Sequence, residues 1–515
     1  MISIRWAALA AAALSALVLA APAKAQVYAT PNLTQASGPE PVSLEGQAFV
    51  NHGLVAVGRL PAATRDFAGE TLGSFSGMAL DLATWRRRPD GAYVGKLFTL
   101  PDRGPNDVGP FKGTTDYRNR VHTHDLVLTL HATGSQNQLA ITPTGGFLLT
   151  DSAGQPFTGK DAGNHVITRD GVVYPSPASG EGAGRISLDS EAIARLADGS
   201  FYVSDEYAPG IYYFDPTGRQ IGAIQTVAAL LPRVDDVVNM NGAAAPKSGR
   251  RHNQGIEALS ITPDGHKLVA VLQSATVQDS GSGNPGRNNT RILIYDISTN
   301  RTPTAPVEHY VLQLPVISAP GTGGAATATA AQSEVLALNA RQFLVLARDG
   351  VGRGSGVNAA NSPVYKSVLL VDTTGAANIA GTPFETSPGG TVSPGGVLDG
   401  AITPVRQVQL VNMLNPTQLG AFGLNLKTAP SDASSLSEKW EALALAPALD
   451  PAAPTDVFLL VGNDNDFVVG AGRVNGQDFD AALKGDGGTG DHDSLILVYR
   501  LTLPTYPASA ATVPR

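Results

Sequence analysis

The chain has no cysteine among its 515 residues. Disulfides, thiol nucleophiles, cysteine zinc sites and a lipoprotein anchor are therefore excluded. Charge is sparse, with 16% Asp, Glu, Lys and Arg and a net −8 at neutral pH. Such an acidic balance argues against nucleic acid as a partner and leaves room for a cationic ligand such as a metal ion. Helical periodicity is confined to short stretches at Val227–Leu231 and Pro416–Leu426, and no apolar run after the N-terminus is long enough to span a membrane. Several catalytic signatures are missing as well. There is no G-x-S-x-G elbow, no H-E-x-x-H and no P-loop, and Arg251-His252-Asn253 does not continue into an Arg-His-Gly-x-Arg pattern.

What is present is a leader and a repeat. Arg5, the apolar run Ala7 to Ala21 and Ala23-Lys24-Ala25 read as a signal peptide over 1–25, which predicts an exported protein, periplasmic or secreted, with no anchor after cleavage. Hydrophobic residues make up 43% of the chain, and 57 glycines and 36 prolines suit many short strands and turns. Ser190-Glu191-Ala192-Ile193 leads through Asp198-Gly199 to a strand and then Ser204-Asp205-Glu206-Tyr207. The same order returns at Gly255-Ile256-Glu257-Ala258-Leu259, at Ser333-Glu334-Val335-Leu336 with Arg348-Asp349, and at Trp440-Glu441-Ala442-Leu443 with Asn463 to Asp466. A first copy at Ser76 to Leu80 leads to Pro101-Asp102-Arg103-Gly104 and carries Met78 where the others carry Glu.

Repeats of three or four short strands predict an all-β fold, a β-propeller, with five units detected and a sixth blade suggested by Leu139 to Tyr174 plus the N-terminal strand. N- and C-terminal strands are expected to close the ring, since closure removes sheet edges. The expected organisation is a leader at 1–25, a lead with the closing strand at 26–72, the propeller at 73–503 and a tail at 504–515. The Gly/Ala-rich insertions Ala319 to Ala331, Gly350 to Asn361 and Thr382 to Gly396 read as surface loops.

Residues at one place in each repeat fall on a ring. Glu191, Glu257, Glu334 and Glu441 form one such set, and the groups after the middle strands, Asp102, Asp205, Glu206, Asp349, Asp464 and Asp466, form another. Converging carboxylates repel one another and resist desolvation unless a cation holds them, and Ca²⁺ takes oxygen ligands of this kind. Asp102, Asp205, Glu206, Asp349, Asp464 and Asp466 are the candidate metal ligands. Glu191, Asp205, Glu206, Glu257, Glu334 and Glu441 are the candidate catalytic groups. The repeated glutamates could equally accept backbone hydrogen bonds and staple neighbouring blades. Arg103, Arg348 and Lys439 abut the acidic positions and suit an anionic substrate, with His252 beside them, while Arg250 and Arg251 read as charge balance on exposed loops.

The motifs Pro101-Asp102-Arg103-Gly104, Asp189-Ser190-Glu191-Ala192, Ser204-Asp205-Glu206-Tyr207, Asn253 to Leu259, Glu441 and Asn463-Asp464 resemble the phytase-like family of exported bacterial proteins, "esterase-like activity of phytase". The resemblance covers about Gly73 to Leu501 and implies a propeller whose repeated acids hydrolyse phosphoesters. The expectation is thus a monomeric, exported, metal-dependent hydrolase acting on small anionic phosphate esters, with Ca²⁺ as cofactor. Calcium-dependent hydrolysis of lactones or carboxyl esters, and non-catalytic ligand binding on the propeller face, stay open.

Overall fold

The structure is a computed structural model. It describes residues 25–131, 136–241, 245–280, 285–319, 321–355, 362–428, 430–481 and 490–507. The leader expected at 1–25 thus falls almost wholly outside the described residues, as do 356–361 of the second insertion and the end of the tail from 508.

The middle strands explain the architecture. Phe201–Asp205 and Asp456–Asn463 are buried at every position, and Lys267–Leu272 and Gln342–Arg348 at all but one end. A strand covered on both faces needs a continuous apolar run rather than alternation, and Leu268-Val269-Ala270-Val271-Leu272 is such a run. Each middle strand lies in a four-stranded antiparallel blade. Blade 1 is Gly77–Arg87, Tyr93–Leu100, Arg120–Leu128 and Leu139–Leu148. Blade 2 is Ser190–Arg195, Phe201–Asp205, Ile211–Phe214 and Gln220–Ile224. Blade 3 is Ile256–Ile261, Lys267–Leu272, Asn289–Asp296 and Glu308–Gln313. Blade 4 is Ala331–Ala337, Gln342–Arg348, Lys366–Asp372 and Arg406–Asn412. Blade 5 joins Trp440–Pro447, Asp456–Asn463 and Ser494–Thr502 to the N-terminal strand Gln47–Leu60.

The first strands contact one another in cyclic order, blade 1 against 2, 2 against 3, 3 against 4, 4 against 5 and 5 against 1. The fold is therefore a closed β-propeller, and N- and C-terminal strands pair within blade 5 to shut it, as the sequence predicts. At this seam blade 5 meets blade 1 through one bridge, Gly58 with Leu139. A Cβ at Gly58 would lie 2.7 Å from the Leu139 carbonyl oxygen, so only glycine lets the two sheets approach.

The ring has five blades, not six. Leu139–Leu148 is the outermost strand of blade 1, and Val166–Arg169 with Val172–Pro175 is a separate two-stranded hairpin. Of the two short helices expected, Pro416–Ala421 forms, with Asn415 capping Gln418 N at 3.1 Å, whereas 227–231 is a turn. The 382–396 insertion is a packed cover on blade 3 rather than a free loop. Glu385 meets buried His309 at 2.8 Å, Asp279 accepts from Val392 N at 2.6 Å, and Arg291 donates to the carbonyls of Phe384 and Gly390.

Bulges decide where the glutamates point. The first strands of blades 2, 3 and 5 each carry an extra residue at their start, at Glu191-Ala192, Glu257 and Glu441 respectively. A bulge re-aims the side chain it contains. In blade 4 the extra residue is Ser333, and Glu334 pairs in register with Leu346. Blade 1 has no bulge at that point, and Met78 sits opposite Thr99.

Candidate active site at the channel mouth

The bulged glutamates and the residues that follow the middle strands gather at one end of the channel. The carboxylate oxygens of Asp189, Glu191 and Glu206 lie within 4.8 Å of one another, and all three residues are buried. Glu257 adjoins them. Its Oε1 accepts from Gln273 Nε2 at 2.6 Å, while its Oε2 is buried with no donor facing it. Asp102, Asp464 and Asp466 form a second trio at the same spacing. Lys439 Nζ lies 2.7 Å from Asp466 and 3.5 Å from Asp464.

Two further cations sit among these acids. Arg103 donates to Asp189 at 2.6 Å through its guanidinium and at 3.2 Å through its backbone N–H, and it also meets Asn253 Oδ1. Arg348 pairs with Glu441. The Nε of each arginine is buried and has no acceptor. Gly255 is required at this point, because a Cβ there would lie 2.5 Å from the backbone of Glu206.

The electrostatics follow from burial. Desolvation, then Glu257, Asp189, Glu206 and Glu441, hold the Glu191 carboxyl well above the ordinary range. Burial and the neighbouring Glu206 and Glu441 do the same to Glu257. Burial pushes Asp189 up to about 7 against the opposing pull of Arg103, and Glu441 up to about 7 against Arg348. Asp102 is raised well above its usual value by burial, Asp464 and Asp189. Glu206 is raised by burial too, with Arg103 opposing. Carboxyls in this state hold protons or need cations.

The remaining expected residues are placed differently. Asp205 is fully engaged: it accepts from the backbone N–H of Asp189, Tyr207 and Ala208 and from Tyr212 Oη at 2.8 Å. Burial raises it to about 6, with those donors opposing. Asp349 is likewise used up, by the N–H groups of Val351, Val364 and Tyr365 and by buried Lys366 at 2.9 Å. Glu334 Oε1 accepts from Leu259 N at 3.2 Å and Val335 N at 2.8 Å and so joins blade 4 to blade 3. His252 is exposed at the rim, its imidazole lowered by partial burial and by Arg250 and Arg103. Arg250, expected on an exposed loop, is fully buried. Its guanidinium donates to the carbonyls of Tyr207, Met240, Asn241 and Arg251, which replaces the water an exposed arginine would have.

Two acids at the mouth escape a reading based on the repeated Glu alone. Asp189 stands two residues before Glu191, and an extended chain sends both to one side. Glu438 precedes Lys439 and is pushed up to about 7 by burial and Asp466. At the opposite end of blade 5, a hollow lined mainly by Pro447, Leu449, Pro451, Pro454 and Tyr506 also carries Asp450 and Asp456, both of them paired with Arg500.

The fold and mouth define a five-bladed propeller with a carboxylate-lined well crossed by arginine and lysine. The chain belongs to the phytase-like family described as "Esterase-like activity of phytase", which matches residues 70–467. An uncharacterized secreted protein of Arthroderma benhamiae is 35% identical over 456 residues, covering 81% of this chain and 87% of its own. Among solved structures, Pseudomonas fluorescens PhoX in complex with vanadate matches 95% of this chain and 100% of its own at 10% identity and a TM-score of 0.31. The Malassezia sympodialis allergen Mala s 1 matches 90% and 91% at 10% identity and a TM-score of 0.30.

Proposed function

We propose that this protein is an exported hydrolase of phosphate esters that works with a divalent cation of the Ca²⁺ class. The observation that carries this reading is the Asp189, Glu191 and Glu206 trio. Among the described residues Glu191 receives no hydrogen bond, its strongest neighbours are other carboxylates, and Glu257 Oε2 beside it has no donor. Buried oxygens left without protons or partners are costly, and a hard cation with oxygen ligands meets that need. The donor set therefore fits such an ion, with Asp189, Glu191 and Glu206 as its holders. When bound, it would offset phosphate charge and make water a better nucleophile.

The chain's own residues supply the rest. Arg348 and Arg103 present guanidinium groups to the phosphate, and a fork of this shape matches phosphate oxygens. Glu441 and Asp189 fix those two guanidiniums by ion pairing. Glu257 takes and returns the proton, since burial and the neighbouring Glu206 and Glu441 raise its carboxyl and so strengthen it as a base. Lys439 neutralises Asp464 and Asp466 at the edge of the well. Asp205 and Glu334 act as scaffold. Membership of the phytase-like family supports the substrate class, and the leader at 1–25 together with the secreted relative supports export.

The test is turnover of a chromogenic phosphomonoester, a phosphodiester and a lactone by the chain from Gln26 onward, stripped with EDTA and then given Ca²⁺. Metal-restored phosphoester hydrolysis is expected. Turnover of the lactone alone would move the substrate to carboxyl esters, and inactivity on all three without a Ca²⁺-induced melting shift would overturn the reading.

A further inference from the structure

Arg251 and the segment that carries Arg287 both meet Ser280 on the rim of blade 3, and among the described residues neither arginine pairs with a carboxylate. Four nearby arginines are neutralised by carboxylates, Arg103 by Asp189, Arg348 by Glu441, Arg185 by Asp116 and Arg291 by Asp279, and Arg250 is satisfied by carbonyls. Among the described residues, neither Arg251 nor Arg287 has an acidic group within ion-pair distance, and residues 281–284 contain no Asp or Glu. Arg251 donates through Nη2 to Ser280 Oγ at 2.5 Å, and that hydroxyl donates to the Val277 carbonyl at 3.0 Å, which fixes the arginine. Gly286, the residue before Arg287, lies with its backbone against the same serine, since a Cβ on it would lie 1.7 Å from the Ser280 carbonyl oxygen. Arg287 is further held by Ala275 N donating to its carbonyl at 3.1 Å.

The Nε atoms of both Arg251 and Arg287 are buried and lack an acceptor. Like charges held side by side, with orphaned donors, are unfavourable unless an anion joins them. Partial burial and the neighbouring Arg287 push Arg251 down to about 10, still cationic at neutral pH.

We propose that Arg251 and Arg287 form a binding site for a tetrahedral oxyanion of the phosphate or sulfate class, on the rim and separate from the carboxylate well. Guanidinium forks recognise such anions through paired N–H donors. The loop that carries Arg251 is rigid, because Arg250 beside it is tied to four carbonyls. Asn253 on the same loop adopts φ 48° and meets Arg103. An anion at Arg251 is therefore held on the segment that also steadies an arginine of the well. The site goes beyond the hydrolase reading and does not depend on it.

The test uses the mature chain stripped of metal, so failure of the metal reading leaves it intact. Inorganic phosphate, sulfate and glycerol 2-phosphate are titrated by calorimetry at constant ionic strength with chloride as background. Phosphate and sulfate are expected to bind with one-to-one stoichiometry and to raise the melting temperature, as a ligand of the folded state must. The Arg251→Gln/Arg287→Gln double variant is expected to lose at least tenfold in affinity and to melt no lower than the parent without anion. Should that variant fail to fold, Arg287→Gln alone, which breaks no side-chain hydrogen bond, serves instead. Glycerol 2-phosphate binding as tightly as phosphate would assign the site to a phosphate group of an ester, and binding of the free anions alone would assign it to those. No binding above chloride, or equal affinity in the variant, overturns the proposal.

Discussion

Proton release on metal binding follows from the state of the well. Without an ion, Asp189 titrates near 7 because burial outweighs Arg103, and Glu191 titrates well above its ordinary value. A cation at these groups must displace their protons. Below pH 7 each coupled proton weakens the apparent affinity about tenfold per pH unit, so one proton costs ~2.7 kcal/mol between pH 7 and pH 5. The sign for stability is fixed by linkage. Carboxyls raised in the folded state stabilise it fully below their unfolded values, and that contribution is lost as pH rises through about 7 for Asp189 and Glu441. Buried His122 and His124 are lowered, His124 to about 3, and act in the opposite sense below pH 6.5. The melting temperature of the stripped protein is therefore a mixture. The difference between loaded and stripped protein cancels the histidines and isolates the well. Calorimetric titration of Ca²⁺ at pH 5.5, 6.5 and 7.5, each in two buffers of different ionisation enthalpy, reads affinity and proton release together. At least one proton released per ion near pH 6, with about tenfold tighter binding per pH unit, is expected. A flat affinity with no proton release across that range would refute the protonated-well argument.

Other substitutions separate ligands from scaffold. Glu191→Gln replaces a carboxyl whose burial favours its neutral form by a neutral group of the same shape, so the stripped protein is expected to melt within about 1 kcal/mol of the parent while Ca²⁺ no longer raises its melting temperature. Asp205→Asn turns one acceptor of a four-donor site into a donor and is expected to cost ~1–3 kcal/mol in denaturant unfolding, with Ca²⁺ stabilisation retained. Glu334→Ala leaves the Leu259 N–H without its acceptor at the blade 3–blade 4 joint, for ~1–3 kcal/mol of stability and no change in Ca²⁺ affinity. Gly58→Ala pushes a methyl against the Leu139 carbonyl at the seam and is expected to lower the melting temperature without altering turnover of the folded fraction.

Much of this molecule was legible in the chain. Glutamate, turn, middle strand and acidic cluster recur in one order, and a repeat that cannot bury both faces alone must stack. Arg103, Arg348 and Lys439 were readable because each abuts a repeated acid; Arg348 and Lys439 do pair with one, whereas Arg103 pairs with Asp189. What escaped is register. Asp205 and Glu206 are neighbours, so a strand turns them to opposite sides, and only Glu206 joins the trio of acids. Ser333-Glu334 copies Ser190-Glu191 in sequence, but the bulge falls one residue earlier and sends Glu334 to a backbone amide. The sixth blade failed because its strand already had an edge to pair with in blade 1. Arg250 was unreadable because its partners are backbone carbonyls, one of them on Tyr207 far back in the chain, and carbonyls leave no mark in the pattern of side chains.

The central claim, a cation-dependent phosphoesterase built on Asp189, Glu191 and Glu206, is tested most directly by phosphoester turnover of the stripped parent and of Glu191→Gln, before and after Ca²⁺ is restored. The account predicts activity only in the restored parent, with both proteins folded when stripped and within about 1 kcal/mol of each other in stability. Equal turnover in the variant, or activity of the parent unaffected by EDTA, would contradict it.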